Sequence, residues 1–302
     1  MAIGIDVGNG YTKFGNQKFA SRVKVGEINK FGKKKSEIHN VEYEGMNYIV
    51  GQGAIFTGDD RYFTKEYEIC LLTAIALYCK KDFPKESIVV GLPEKKQKLL
   101  GDKLEDYLKS LGQKQITVDG KKYTVRINDA LVFIEGAYPI LEGIEDNVIV
   151  IDNGAGTINV SQWEDLSILN AQTYNEAMYK MYAEIAGYLN LNKGTDYNPM
   201  DVQKFFNDET ITVDQKEVDI TDARAIIASH IKEIASYIRN DFDYKSAKKI
   251  YLIGGGGADT QTYWQDEFEI KLIDDAQFIN VKVYDAIAKD NFEEVEENED
   301  KE

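Results

Sequence analysis

The chain has 302 residues, 43% hydrophobic and 29% charged, and a net charge of −16 from 36 basic and 52 acidic side chains. The length allows two domains with separate cores, and the charge excludes broad contact with nucleic acid, whose phosphates it would repel. Cys70 and Cys79 carry no CxxC spacing and read as buried apolar residues of a reducing compartment. With His39 and His230 the only histidines, a His-based zinc site or a Ser-His-Asp triad has almost nothing to build on. The longest apolar run, Cys70 to Cys79, is too short to span a bilayer, and the start shows no basic leader, so a cytoplasmic protein without membrane contact is expected.

In chain order, Ile3–Ile5 form a strand that runs into Asp6. Asn9-Gly10 then predicts a tight turn with positive φ at both residues, and Tyr11–Phe14 return as the second strand. A polar stretch follows, with the basic run Phe31–Glu37 read as a solvated loop and a hairpin at Glu44-Gly45. Thr64 opens a helix with Tyr67, Leu71, Ala74, Ile75 and Tyr78 on one face, and Pro84 lies beyond its end. Ser87–Pro93 is a buried strand. The charged helix after it turns Leu100, Leu104 and Leu111 inward and stops at Gly112. Asp119-Gly120 marks another hairpin, and Ala130–Leu141 runs from strand into short helix with Glu135 at the junction.

Val148–Val160 is again strand, glycine turn, strand. Asn175–Leu189 is helical, Asn190–Val218 reads as polar loop with a short helix at Met200–Phe206, and Thr221 caps a long helix that buries Ile226, Ile227, Ile231, Ile234 and Ile238. The strand Lys249–Ile253 leads into four glycines, Gly254–Gly257, and a helix. The last residues are strongly acidic and are expected to be disordered.

The two Asp-x-Gly-x-Gly turns stand 146 positions apart (152 − 6) in similar settings. Such a turn exposes backbone N–H groups that hold phosphate oxygens. An aspartate at the strand end holds Mg²⁺ through water, because Mg²⁺ keeps much of its hydration and needs only one or two carboxylates. Repetition suggests that phosphates are gripped from two sides. Lys13 adds a point charge for them, and the glycines before the late helix let a nucleotide lie against the backbone. Asp259 stands where the Rossmann fingerprint needs its third glycine, and no GxxxxGK[ST] occurs.

These motifs resemble the actin-like ATPase superfamily, and within it the ParM-type plasmid-segregation actins. Residues 3–15 look like the phosphate-1 motif, 151–157 like phosphate-2, and 252–259 like the adenosine motif. Glu135, seventeen residues before Asp152, matches the residue that positions the attacking water, and Ala276–Ala288 is similar to the closing segment of ParM-type and archaeal relatives. The resemblance implies a duplicated, RNase H-like, actin-like α/β fold with nucleotide in an interdomain cleft and a small insertion subdomain in each half. Domain I would be 1–147, with an insertion at about 31–66 and the segment 285–302 returning to it; domain II would be 148–284, with an insertion at about 190–240.

By the same resemblance Asp6, Asp152 and Glu135 are catalytic, with Asp6 and Asp152 holding Mg²⁺ through water. Gly8, Asn9, Gly10, Thr12, Lys13, Asn153, Gly154, Ala155, Gly156, Thr157, Gly254, Gly255, Gly256 and Gly257 bind nucleotide, and Lys204 is a further candidate for the base or ribose. ATP is the expected nucleotide, with GTP as the other candidate. The implied function is a self-assembling filament whose turnover follows slow, assembly-stimulated hydrolysis, and which moves plasmid DNA through a DNA-binding adaptor of ParR type rather than by touching DNA. The alternative is a small-molecule kinase of the same superfamily, since residues 5–10 also resemble the opening of type III pantothenate kinases.

Overall fold

The structure, a computed structural model, describes residues 2–27, 37–79 and 85–299. The basic run at 31–36 and Pro84 lie outside the described residues. The chain forms two compact units, Met1–Leu141 with Phe278–Glu302, and Glu142–Gln277.

The first unit is built on a ten-stranded sheet. Strands β1 (Ala2–Val7), β2 (Tyr11–Phe14) and β3 (Gln17–Ala20) form an antiparallel meander. On its other side β1 pairs in parallel with β8 (Lys85–Leu92), and β8 with β10 (Lys121–Ile134). The sheet continues through β9 (Gln113–Val118), β5 (His39–Tyr43), β6 (Met46–Val50), β4 (Arg22–Val25) and β7 (Ala54–Ile55). All six residues of β1 are buried, as a central parallel strand covered on both faces requires.

Helix α1 (Lys65–Cys79) starts where expected, with the Thr64 hydroxyl accepting from the Tyr67 N–H at 3.4 Å. The one-sided face is corrected, however. Residues 67–76 are buried without a break, because α1 touches β1, β2, β4, β9 and β10 at once. Its Glu68 is buried too, and the Tyr43 hydroxyl, Lys65 and Lys114 meet the carboxylate. Helix α2 (Glu94–Ser110) buries Leu104 and Leu108 and ends at Gly112 with φ 57°. The short helix α3 spans Tyr138–Glu142.

The C-terminal helix, Ile279–Glu299, lies on β1 and β8. Two glycines make room: a Cβ on Gly4 would stand 2.4 Å from the Asp285 backbone nitrogen, and one on Gly91 only 1.8 Å from the Tyr284 hydroxyl. The helix runs on to Glu299. Glutamate is a good helix former, and a helix already under way gains a hydrogen bond for each residue it adds. The expectation of disorder for 300–302 falls outside the described residues.

The second unit repeats the meander. Strands β11 (Val148–Asn153), β12 (Ile158–Glu164) and β13 (Ser167–Tyr174) are antiparallel, and β11 continues in parallel to β16 (Lys249–Ile253) and β17 (Ile270–Leu272). The order β13-β12-β11-β16-β17 is the order β3-β2-β1-β8-β10 of the first unit. Helices α4 (Met178–Lys193), α5 (Pro199–Val202), α6 (Arg224–Asp241) and α7 (Gly257–Gln265) belong to this unit. Ile227, Ile231, Ile234 and Ile238 of α6 enter its core, with Ile226 at the margin.

Two readings change here. Thr221 opens a 3-10 turn, Thr221–Ala223, ahead of α6 and caps nothing with its side chain. The stretch read as loop holds a hairpin, β14 (Thr210–Val213) with β15 (Lys216–Asp219). Its turn residues Asp214 and Gln215 both have positive φ, as do Asp165 and Leu166 between β12 and β13. Neither pair carries the glycine that makes such turns legible, whereas the expected turns at Glu44-Gly45 and Asp119-Gly120 do.

The Gly4 N–H donates to Asp285 Oδ1 at 2.6 Å. Burial raises the Asp285 carboxyl above its ordinary 3.8, against the opposing pull of that hydrogen bond and of Lys289. The folded state therefore holds the proton more tightly than the unfolded chain, so this group's contribution is full below the unfolded value and is lost as pH rises through the folded one. Asp285→Asn, which keeps an acceptor for Gly4, is expected to be more stable than wild type at pH 7. Urea unfolding across pH should show that gain vanishing toward pH 3.8.

Candidate nucleotide-binding hairpins

In each unit, strands end and a tight loop begins at the carboxyl edge of the parallel sheet, where open α/β sheets bind ligands. In the first unit Asp6 sits near the end of β1 and Glu135 follows β10, with β8 pairing both strands. The loop between β1 and β2 holds four residues, Gly8–Tyr11, and the Gly8 N–H donates to the Tyr11 carbonyl at 3.1 Å. None of the four has a positive φ, which corrects the two-residue turn expected at Asn9-Gly10. The cross-strand partners are Val7 and Thr12, so the connection is longer, and four-residue loops are built around turns with negative φ.

The second unit has the same loop. Asn153 pairs with Ile158, Gly154–Thr157 form the connection, and the Gly154 N–H donates to the Thr157 carbonyl at 3.0 Å. A Cβ at Gly154 would stand 2.8 Å from that carbonyl, and one at Gly8 3.1 Å from the Tyr11 carbonyl, so the close turn favours glycine at both. The register matches as well: Asp6 faces Lys13, and Asp152 faces Asn159.

Strand alternation sorts the first hairpin's side chains. Lys13 Nζ reaches Asp6 at 2.7 Å, and both side chains are largely buried. Thr12 is fully buried and shares a hydrogen bond of 2.9 Å with Ser21, next to Cys70, whose thiol burial pushes up to about 12. Thr12 thus braces the hairpin from the core side. Glu135 is half-buried, its N–H donates to the Leu92 carbonyl at 2.9 Å, and the chain turns away at Gly136, φ 78°, whose N–H is held by Asn280 Oδ1 at 3.0 Å.

Two residues that no motif announced join this edge. Arg61, in the 3-10 turn Asp59–Phe63, is buried and donates from Nη2 to the Val7 carbonyl at 2.8 Å. Tyr67 is buried beneath. Burial lifts its hydroxyl far up; the Arg61 charge draws it down, and Tyr62, Asp6 and Glu135 push it up. Helical spacing put Tyr67 on the inward face of α1 but carried no signal that it lies near Arg61.

In the second unit the glycines after β16 close on the strand end. Gly254 has φ 91°, and a Cβ there would lie 2.4 Å from Asp152 Oδ1 and 2.5 Å from the Asn153 carbonyl. The Gly256 N–H donates to the Asn153 carbonyl at 2.8 Å, and a Cβ on Gly256 would strike Met178 at 2.7 Å. Gly255 faces Gln277 and Gly257 opens α7. Asn153 is fully buried and donates from Nδ2 to Thr260 Oγ1 at 2.8 Å, which fastens β11 to α7. The Ala155 carbonyl accepts from the Tyr179 N–H at 2.9 Å, docking the hairpin loop on the start of α4. Gly156 and Thr157 complete that loop. Lys204 stands apart from these contacts: its side chain is 74% exposed and pairs with Asp201 at 2.6 Å. Its neighbour Asn207 reaches Asp259, in the first turn of α7, at 2.8 Å.

The donor sets suit the groups expected of them. Asp6 and Asp152 offer hard carboxylate oxygens at strand ends, as Mg²⁺ with its retained waters prefers. The glycine loops leave backbone close to any phosphate beside them. No group of three or more His, Cys, Asp or Glu side chains able to hold a metal ion occurs among the described residues. Among the described residues no helix is long and apolar enough to cross a membrane.

Together, the repeated strand order and paired hairpins define an actin-like fold, as the sequence resemblance anticipated. Residues 4–137 match the family model described as "Actin like proteins N terminal domain". Among solved structures, the chain is similar to the protein of a 15-stranded ParM filament from Clostridium botulinum, with a TM-score of 0.81 at 20% identity over 96% of this chain and 99% of that one. It is also similar to Ta0583, an archaeal actin homologue solved with ADP (TM-score 0.77, 20% identity, 96% and 100% covered), and to the protein of the Alp12 filament (0.69, 17%, 96% and 98%). No curated protein matches the chain.

The crowding at Gly254 yields a test. Gly254→Ala forces both a disfavoured φ and contact with Asp152 and the Asn153 carbonyl, so it is expected to destabilise the protein by about 1–3 kcal/mol. A fall in the urea midpoint with unchanged slope would register it.

Proposed function

We propose that this chain is a nucleotide-dependent, filament-forming bacterial actin homologue. The observation that carries the reading is the recurrence of one phosphate-type hairpin, with the same four-residue loop and the same closing hydrogen bond, in two units of the same strand order. The similar structures support it: two come from filaments and one holds ADP.

In this reading ATP, with GTP as the other candidate, is bound with Mg²⁺. Backbone N–H groups of Gly8–Tyr11 and Gly154–Thr157 take the phosphates. Asp6 and Asp152 hold waters of the cation, and Lys13 neutralises phosphate charge as it exchanges its contact with Asp6. Glu135 orients the attacking water, and the glycines 254–257 receive the nucleoside. Thr12 and Asn153 act from behind, by holding the hairpins in shape. Phosphoryl transfer asks mostly for such positioning and charge neutralisation. Filament growth follows from a head-to-tail interface that does not close on itself. Plasmid movement would pass through a basic, DNA-binding adaptor of ParR type, since a surface of net charge −16 does not invite DNA directly. The proposed location is the cytoplasm.

Light scattering of the purified protein on addition of Mg-ATP, with phosphate release followed in the same sample, tests the reading. Scattering should rise and then decay as phosphate appears. No scattering at any protein concentration, with turnover only when a small acceptor alcohol is present, would replace the filament with a kinase. Glu135→Ala is expected to slow phosphate release by about 10²–10⁴-fold while assembly persists; an unchanged rate would remove Glu135 from its role.

A further inference from the structure

Arg61 is a buried cation without a counter-charge. The residue is 3% exposed, and among the described residues its side chain makes one hydrogen bond, from Nη2 to the Val7 carbonyl. Its Nε has no hydrogen-bond partner, and no carboxylate lies within ion-pair distance among the described residues. Phe56 and Tyr62 flank the guanidinium at 5.3 and 5.0 Å from their ring centres, contacts that exclude water more than they neutralise charge. A guanidinium cannot shed its proton, so the cost of its burial stays in the folded chain until an anion meets it.

Its position says which anion. Val7 is the last residue of β1, and the Gly8–Tyr11 loop begins beside the carbonyl that Arg61 grips. Asp6 precedes Val7 on β1, and Glu135 follows β10 at the same edge of the sheet, with β8 between the two strands. The backbone is pinned too: the Arg61 carbonyl accepts from the Thr64 hydroxyl at 2.8 Å, just ahead of α1. Two carboxylates would repel an incoming polyphosphate, and Lys13 is engaged with Asp6. Arg61 holds a second positive charge beside this loop, with no ion pair among the described residues.

We propose that Arg61 is an anion-binding residue of the first hairpin, whose guanidinium meets a phosphate group of the bound nucleotide. The proposal rests on the nucleotide reading above. A planar donor fork suits phosphate better than an ammonium would, and each charge-assisted bond is stronger than a neutral one.

The test uses the full chain, with calorimetric titration by ATP, ADP, adenosine and inorganic tripolyphosphate, and thermal melts without ligand. Arg61→Gln, which removes the charge and keeps an amide donor, should melt without ligand at or above the wild-type temperature. Its affinity for ATP and tripolyphosphate should fall about ten- to a hundred-fold, and adenosine binding should stay unchanged. Arg61→Met, which preserves the packing on Phe56 and Tyr62, serves where Arg61→Gln does not fold. Wild-type affinity for ATP and tripolyphosphate in either folded variant overturns the proposal. Failure of both neutral variants to fold also overturns it, because the charge would then serve the fold. Wild-type protein that binds tripolyphosphate but neither nucleotide refutes the nucleotide reading alone, and loss of that binding in the variants still upholds Arg61. Wild-type protein that binds none of these overturns both.

Discussion

A carboxylate at the end of a fully buried strand is costly unless charge or hydrogen bonds meet it. Both halves of this chain place one there, Asp6 on β1 and Asp152 on β11. Much around each follows from that constraint. In the first unit Lys13 comes across the hairpin to pair with Asp6, and the four-residue loop sets the register that puts them opposite. In the second unit the position facing Asp152 is Asn159, and Gly254 leaves out a side chain that would crowd the carboxylate.

The glycines divide by purpose. Gly8 and Gly154 allow a tight loop beside a carbonyl, Gly254 and Gly256 let one chain segment lie on another, and Gly4 and Gly91 seat the C-terminal helix on its strands. The first four stand at the strand ends and loops of the two hairpins. The last two explain why a segment from the far end of the sequence belongs to the first unit: the helix is held at van der Waals distance over β1 and β8, and Asp285 is fixed to the Gly4 N–H.

Side chains read as ligand contacts turn out to fall into two layers. Lys13 stands with Asp6 at the carboxyl edge, whereas Thr12 and Asn153 are wholly buried and hold strands to their supports. A motif names both layers alike, because it records which residue types recur together and not which way each points. Lys204, outside any motif, is occupied with Asp201 on the surface.

The sequence by itself determined the strand–loop–strand units and their repetition 146 positions apart, because glycine-rich turns and buried apolar strands are local patterns that repeat visibly; the actin-like fold was implied by the family resemblance of those motifs. It also marked the hairpins at Glu44-Gly45 and Asp119-Gly120 through their glycines. The turns at Asp165-Leu166 and Asp214-Gln215 escaped, since left-handed backbone at leucine and glutamine is imposed by the paired strands and not by the residues. The all-round burial of α1 was likewise out of reach, because it depends on five strands arriving from elsewhere in the chain. Only tertiary structure placed Arg61 at the end of β1, against the Val7 carbonyl. Within its own segment it is an arginine beside two aspartates, and it becomes an unpaired buried charge once Val7, Phe56 and Tyr62 close around it.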